Sequence, residues 1–380
     1  MSHRARTSFR LFLAGAVLAT SSAGLAQTAG TLVSADPVVD TPGGLQAWRV
    51  TYVTADAANR PRTVTGMVVA PREAQPAAPR NVVAWTHGTS GVVERCGLSA
   101  RSDFFTFTPG LTDMVRRGFV VVAPDYPGLG SSGAHPYLVG VDTGNSVLDA
   151  VRAARSISGA YAGSRFAVWG ESQGGHAALW TGIRARRYAP DLSLVGIAAA
   201  APPTDLASNL KLGSDANVRT MLTAYASYSW SKHYGAPLSS LGNKSTQGVI
   251  TRLAQNNCVE LNKSPKLGTI LGIVTLRNAL KKVDFGSRAP WSGFAASNSI
   301  SAAQVPGPVF IAQSVSDPVV APSVTRAFAR KLCQRGTRVQ WLSLPGGDHA
   351  HSARDSAGPT LDWIAARFAG QAAMSSCRSI

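Results

Sequence analysis

Apolar residues in this chain gather into short unbroken runs: Asn81-Val82-Val83-Ala84-Trp85-Thr86, Phe119-Val120-Val121-Val122-Ala123, Arg165-Phe166-Ala167-Val168-Trp169, Leu194 to Ala201, Pro308 to Ser314 and Val339 to Leu344. None alternates with polar residues. Strands of this kind are buried on both faces, which predicts a mainly parallel central sheet covered by helices, an α/β class. Two earlier stretches, Leu45 to Thr54 and Thr63 to Ala70, also read as strands. Apolar or small residues at Val147, Ala150, Val151, Ala154 and Ile157 follow a helical spacing and predict a crossover helix between parallel strands.

From about Leu206 to Gln304 this rhythm stops. Helical patterns replace it, such as Val218, Met221, Leu222, Tyr225 and Ile250, Leu253, Asn257, Leu261. We read residues 206–304 as a helical cap inserted between a first core part, 27–205, and a second, 305–380. The cap is lopsided in charge, with eleven Lys and Arg against Asp215, Glu260 and Asp284. A solvated exterior explains this more simply than substrate steering. Its aromatics Tyr225, Tyr228, Trp230, Trp291 and Phe294 could line an acyl pocket or form the cap's own small core.

The first residues set a different context. His3, Arg4, Arg6 and Arg10 precede the apolar Leu11 to Ala19 and the small Gly24 and Ala26, the three parts of a secretory signal, so residues 1–26 are excluded from the fold. The apolar run is too short to span a bilayer and no cysteine follows it to take a lipid, so no stable membrane anchor is expected. A secreted or periplasmic location follows. In such a compartment four cysteines favour two disulfides. Three connectivities are open; Cys96–Cys258 would tie a site loop to the cap and Cys333–Cys377 would pin the C-terminal tail.

The formal charge is +17. The basic residues are scattered, mostly arginine, with no run and no interleaved aromatics, which argues against nucleic acid as a partner. At 45% apolar and 15% charged residues, the 380-residue chain has the make-up of a globular enzyme.

The chemistry centres on Gly170-Glu171-Ser172-Gln173-Gly174. A strand-like run enters it and a small-residue helix pattern, Gly175 to Trp180, leaves it, which is the context of a nucleophile elbow. Glycines two residues either side of Ser172 suit a turn too crowded for side chains. A serine hydroxyl needs an imidazole to take its proton, and the imidazole needs a carboxylate. In an α/β-hydrolase fold these follow the serine in the order acid, then histidine. Among seven histidines, His349 after the last strand is the first candidate, delivered by Gly346-Gly347-Asp348; His351 in the same loop competes, while His233 lies in the cap and His176 on the elbow helix. Asp317, at the end of the strand Pro308 to Ser314, leads as the acid. Asp205 more often caps the next helix, and Asp348 adjoins His349 too closely.

An oxyanion needs two N–H donors, for which the amides of Gln173 and Thr89 are candidates. His87 beside Thr89 reads as a structural hydrogen-bonding residue. Gly128, Gly130 and Gly133 read as a tight loop, since the dinucleotide fingerprint is missing, and no Cys/His spacing suggests a metal or cofactor.

Together Trp85-Thr86-His87-Gly88-Thr89-Ser90-Gly91, Pro124-Asp125-Tyr126-Pro127-Gly128-Leu129-Gly130, Gly170 to His176, Ser316-Asp317-Pro318-Val319-Val320 and Asp348-His349 resemble the secretory lipase family of α/β-hydrolases, related to fungal lipase A. The resemblance covers nearly the whole mature chain. It implies an α/β-hydrolase fold with a helical cap, ester hydrolysis by a secreted enzyme on an ester or lipid substrate, and Ser172, Asp317 and His349 as the triad. A second histidine, His351, follows the matching one. A serine peptidase or amidase of the same fold is the alternative, hinted at by Glu171 beside the nucleophile; oligomeric state is not legible.

Overall fold

The computed structural model describes residues 28–260, 263–281, 283–346 and 348–380, so the secretory-signal expectation for 1–26 lies outside the described residues. Nine strands make one sheet: β1 (Leu32–Val38), β2 (Leu45–Ala55), β3 (Pro61–Pro71), β4 (Arg80–Thr86), β5 (Val120–Pro124), β6 (Ala162–Glu171), β7 (Ser193–Ala200), β8 (Val309–Ser314) and β9 (Val339–Leu344), in the order β1-β2-β3-β5-β4-β6-β7-β8-β9. The pairs from β5 through β4 to β9 are parallel, and β1, β2 and β3 add an antiparallel wing. This is the α/β-hydrolase architecture that the unbroken apolar runs predict.

The apolar runs work as double-faced strands. Val82 and Ala84 of β4, Val120 and Val122 of β5, and Phe166 and Val168 of β6 enter one core. Their neighbours Val83, Trp85, Val121, Ala123, Ala167 and Trp169 enter the core on the opposite face. The first core is roofed by the crossover helix Gly140–Ala154 and the elbow helix Gln173–Tyr188; the second lies under helices that include Ala357–Phe368. Ile157 falls three residues beyond the crossover helix yet is still buried, so the helical spacing marked the right core residues but one turn too many of helix.

One strand escaped the sequence pattern. β1 carries Ser34, Asp36 and Pro37, lies at the sheet edge and is half exposed, so it has no apolar run to reveal it. The other edge, β9, is partly covered by the tail: the Ser376 amide donates to the Val339 carbonyl at 2.7 Å and the Trp341 amide to Ser376 Oγ at 3.0 Å. Cys333 is bonded to Cys377, which holds that tail in place.

Between β7 and β8 the chain runs through the helices Leu206–Leu212, Ala216–Tyr234, Lys244–Asn256, Leu267–Ala279 and Trp291–Asn298. These enclose a third core, in which Tyr225, Tyr228, Trp230 and Trp291 are buried with Phe294 packed against them. The aromatics therefore serve the segment's own core. Residues 137–139 also enter it, and the Trp230 indole donates to the Tyr137 carbonyl at 2.9 Å.

A covalent tie joins this segment to the loop after β4. Cys96 is bonded to Cys258 across 162 residues of sequence, and the Val259 amide donates to the Ser90 carbonyl at 2.8 Å. Gly91, at φ +142°, lies against the Cys96 sulfur, where a side chain would collide. Closing so long a loop restricts the unfolded chain strongly. Replacing Cys96 and Cys258 together by serine should lower unfolding free energy by about 2–5 kcal/mol, read as a lower urea midpoint; an unchanged midpoint would show that packing alone holds the segment.

Candidate active site

The site is assembled at the C-terminal ends of the parallel strands, where open α/β sheets place their functional groups. Strand β6 delivers Ser172 into a sharp turn at φ 55° and ψ −121°, a conformation costing on the order of 1–3 kcal/mol for a side-chain-bearing residue. Its amide donates to the Ala200 carbonyl of β7 at 2.8 Å, and its carbonyl accepts the His176 amide at 3.0 Å as the elbow helix starts. The flanking glycines are required by contact. A Cβ at Gly170 would strike the Thr86 hydroxyl and the Gly174 carbonyl, and one at Gly174 would strike the Thr86 carbonyl. The Thr86 hydroxyl itself donates toward the Gly174 carbonyl at 2.8 Å.

The loop after β9 brings His349 over this turn. His349 Nε2 lies 2.7 Å from Ser172 Oγ, and Nδ1 lies 2.8 Å from Asp317 Oδ2. The arrangement fixes the tautomer: Nδ1–H donates to the carboxylate and Nε2 accepts the serine proton. Asp317 is buried and fully engaged. Its Oδ1 accepts the Val319 and Val320 amides at 2.8 and 2.9 Å, and Oδ2 also accepts Gln313 Nε2 at 3.0 Å.

The competing residues are occupied elsewhere. His351 Nδ1 bonds Asp348 Oδ1 at 2.7 Å. Asp205 caps its helix by accepting the Ser208 amide at 2.9 Å. His233 lies 3.9 Å from Asp142. His176 is buried on the elbow helix, donates from Nε2 to the Asn298 carbonyl at 2.7 Å, and is pushed down to about 4 by burial.

Thr89 and Gln173 flank the serine. A Cβ at Gly88 would lie 3.8 Å from the Ser172 Cβ, at ordinary contact distance, so the Thr89 loop runs beside the elbow. Thr89 Oγ1 lies 2.9 Å from the Tyr137 hydroxyl. Gln173 is the first residue of its helix, where amides have no intrahelical acceptor. His87 is buried, with Nδ1 2.6 Å from the Gly88 carbonyl, and burial lowers its proton affinity.

Two further residues contact the site in ways the sequence did not reveal. His135 Nδ1 donates to the Pro127 carbonyl at 2.9 Å, leaving Nε2 to accept Gln173 Nε2 at 2.7 Å. Burial holds the His135 imidazole at about 3, so it stays neutral and pins the Gln173 side chain. Nothing local marks Ala134-His135-Pro136; its role arises from folding it against a residue 38 positions away. The glycine loop before it behaves as a tight turn, with Gly128 at φ 78° and pressed on the His135 backbone.

Glu171 is the second. Its Oε1 accepts the Ala353 amide at 2.7 Å, tying the elbow to the segment just beyond His349. Burial, first, raises its carboxyl to about 7, with the charges of Asp348 and Asp317 adding and the Ala353 bond and His349 opposing.

Comparison with known proteins decides the family. Residues 106–376 match the family described as secretory lipase. The chain belongs to the secretory lipase family. That makes it a carboxylic ester hydrolase by kinship. It is 23% identical over 359 residues to a Mycobacterium tuberculosis protein named probable inactive lipase, covering 87% of this chain and 75% of that one. It is 21% identical over 266 residues to lipase A of Moesziomyces aphidis, covering 67% of this chain and 56% of the relative, so it spans about half of that protein's length. The fold superposes on Candida antarctica lipase A in its closed state with a TM-score of 0.75 at 17% identity, over 93% of this chain and 85% of that one. It also superposes on the rice cell wall degrading esterase LipA of Xanthomonas oryzae with a TM-score of 0.70 at 20% identity, over 90% and 98%.

The raised carboxyl of Glu171 couples the stability of this chain to pH. Its folded value of about 7 exceeds the ordinary 4.5, so the folded chain keeps a proton that the unfolded chain releases. The stability this contributes is full below about 4.5 and is lost as pH rises through about 7. Glu171→Gln should therefore become more stable relative to the parent across that window, by up to about 3 kcal/mol. Parallel denaturation curves at pH values spanning it would show this; a constant difference would contradict it.

Proposed function

We propose that the chain is a secreted serine ester hydrolase working through an acyl-enzyme on Ser172. The observation that carries the reading is the hydrogen-bonded line from Ser172 Oγ through His349 to Asp317, set on a strained elbow. Because one relative is named a probable inactive lipase, the site residues themselves, beside the family, support this mechanism. Here a residue of the right chemistry stands at every position of the line.

In this mechanism Ser172 Oγ attacks the ester carbonyl while His349 Nε2 takes its proton, and Asp317 stabilises the imidazolium. The carbonyl oxygen gains the charge and is held by the amides of Thr89 and Gln173. Collapse breaks the ester bond, and His349 returns the proton to the leaving alcohol. Water then attacks the acyl-enzyme with His349 again as base, releasing the acid and restoring Ser172.

The helices of 206–304 act as the cap in this reading. They supply Leu206, Leu210 and Leu222 to the cavity that Ser172 also lines, together with Leu138 and Val319. The two disulfides and the family's secretory character support export to an oxidising compartment.

Hydrolysis of p-nitrophenyl esters tests the reading. Esters of at least one chain length between acetate and palmitate should turn over, and on that ester Ser172→Ala should lose at least about a thousandfold in kcat. No hydrolysis of any ester by the folded parent would overturn it. His349→Ala should lose a similar factor, whereas His351→Ala should stay within about threefold of the parent. Equal losses in the two would give the base to the wrong histidine.

A further inference from the structure

The helix Leu267–Ala279 has apolar residues on two sides. Ile273 and Leu276 point inward and are buried in the third core. Leu267, Ile270, Leu271 and Val274 point outward and are exposed by 72%, 44%, 58% and 37%. Their spacing of i, i+3, i+4 and i+7 makes one continuous stripe along the helix. Scattered exposed apolar residues need no explanation, but four in register on one helix form a patch that water does not favour.

Charge surrounds the stripe. Lys263 and Lys266 precede it, Arg277 lies in the last turn of the helix and Lys281 follows. On the acidic side, Glu260 is ion-paired with Lys263, and Asp284 accepts the Gly286 amide at 2.9 Å. Cations at both ends of an apolar stripe are the layout of a helix that lies in the plane of a lipid surface, with its apolar face among acyl chains and its cations among phosphates. A second copy of the chain fits poorly, because pairing two such faces would set lysines against lysines around a patch one helix wide.

We propose that the outward face of Leu267–Ala279 docks this protein on an anionic lipid bilayer. The site of docking is separate from the Ser172 cavity, none of whose lining comes from this helix. The proposal goes beyond the ester-hydrolase reading and does not rest on it, since binding is measured without turnover.

The test is co-sedimentation with vesicles of phosphatidylcholine alone and of phosphatidylcholine mixed with phosphatidylglycerol. The mature protein should bind the mixed vesicles, weaken with added salt, and bind the neutral vesicles at least about tenfold less tightly. The double variant Ile270→Glu, Leu271→Glu should lose about tenfold or more of the binding to mixed vesicles while hydrolysing a water-soluble short-chain ester as the parent does. The variant Lys263→Gln, Lys266→Gln, Lys281→Gln should shift binding in the same direction without touching the apolar stripe. Binding to neither vesicle would overturn the proposal. So would vesicle binding that the double variant leaves intact, or a parent that elutes as a dimer, fails to bind vesicles and becomes monomeric on the double substitution.

Discussion

The site depends on how closely the end of β4 approaches the start of the elbow helix. The Thr86 carbonyl occupies the space where any side chain at position 174 would have to go, and the Thr86 hydroxyl holds the Gly174 carbonyl. This contact forces the chain to reverse within one residue, and that residue is Ser172. The unfavourable φ of 55° is therefore imposed by packing on both sides, with β7 holding the serine amide through Ala200. Because the turn is fixed by backbone atoms, the hydroxyl is presented in one position, and the partners need only be delivered to it.

Delivery comes from two loops on neighbouring strands. β8 ends at the carboxylate and β9 at the imidazole, so parallel pairing brings Asp317 and His349 to the same edge. The carboxylate is oriented by amides two and three residues onward, a local turn that keeps one oxygen for the histidine. Glu171 adds a contact from the elbow to the Ala353 amide, so the histidine loop is attached to the strand that carries Ser172. Burial raises the Glu171 carboxyl to about 7, so a proton comes on or off beside this loop close to neutral pH.

Much of this was legible because the strands that matter are buried on both faces and so write themselves as unbroken apolar runs. The elbow was legible because its glycines are forced, and forced residues leave a pattern. β1 was not, since an edge strand with Asp36 and Pro37 has nothing apolar to display. His135 was not, because its partners, Pro127 and Gln173, are brought to it by a glycine loop and a helix start that carry no mark of each other. Rank among histidines and acids came from chain order; the separation of His349 from His351 needed coordinates, since both sit in one short loop and differ only in which carboxylate they meet. The aromatics between β7 and β8 were ambiguous in sequence because a pocket wall and a small core draw on the same residue types.

The cysteines are joined in the order in which they occur, first with second and third with fourth. A chain made from its N-terminus therefore meets each correct partner as the next thiol to emerge. Oxidation between thiols that are neighbours along the chain therefore gives the native pairing directly. The bridge between Cys96 and Cys258 encloses β5, β6 and β7, and with them Ser172, whereas Asp317 and His349 lie on the chain beyond it and reach Ser172 only once β8 and β9 have joined the sheet.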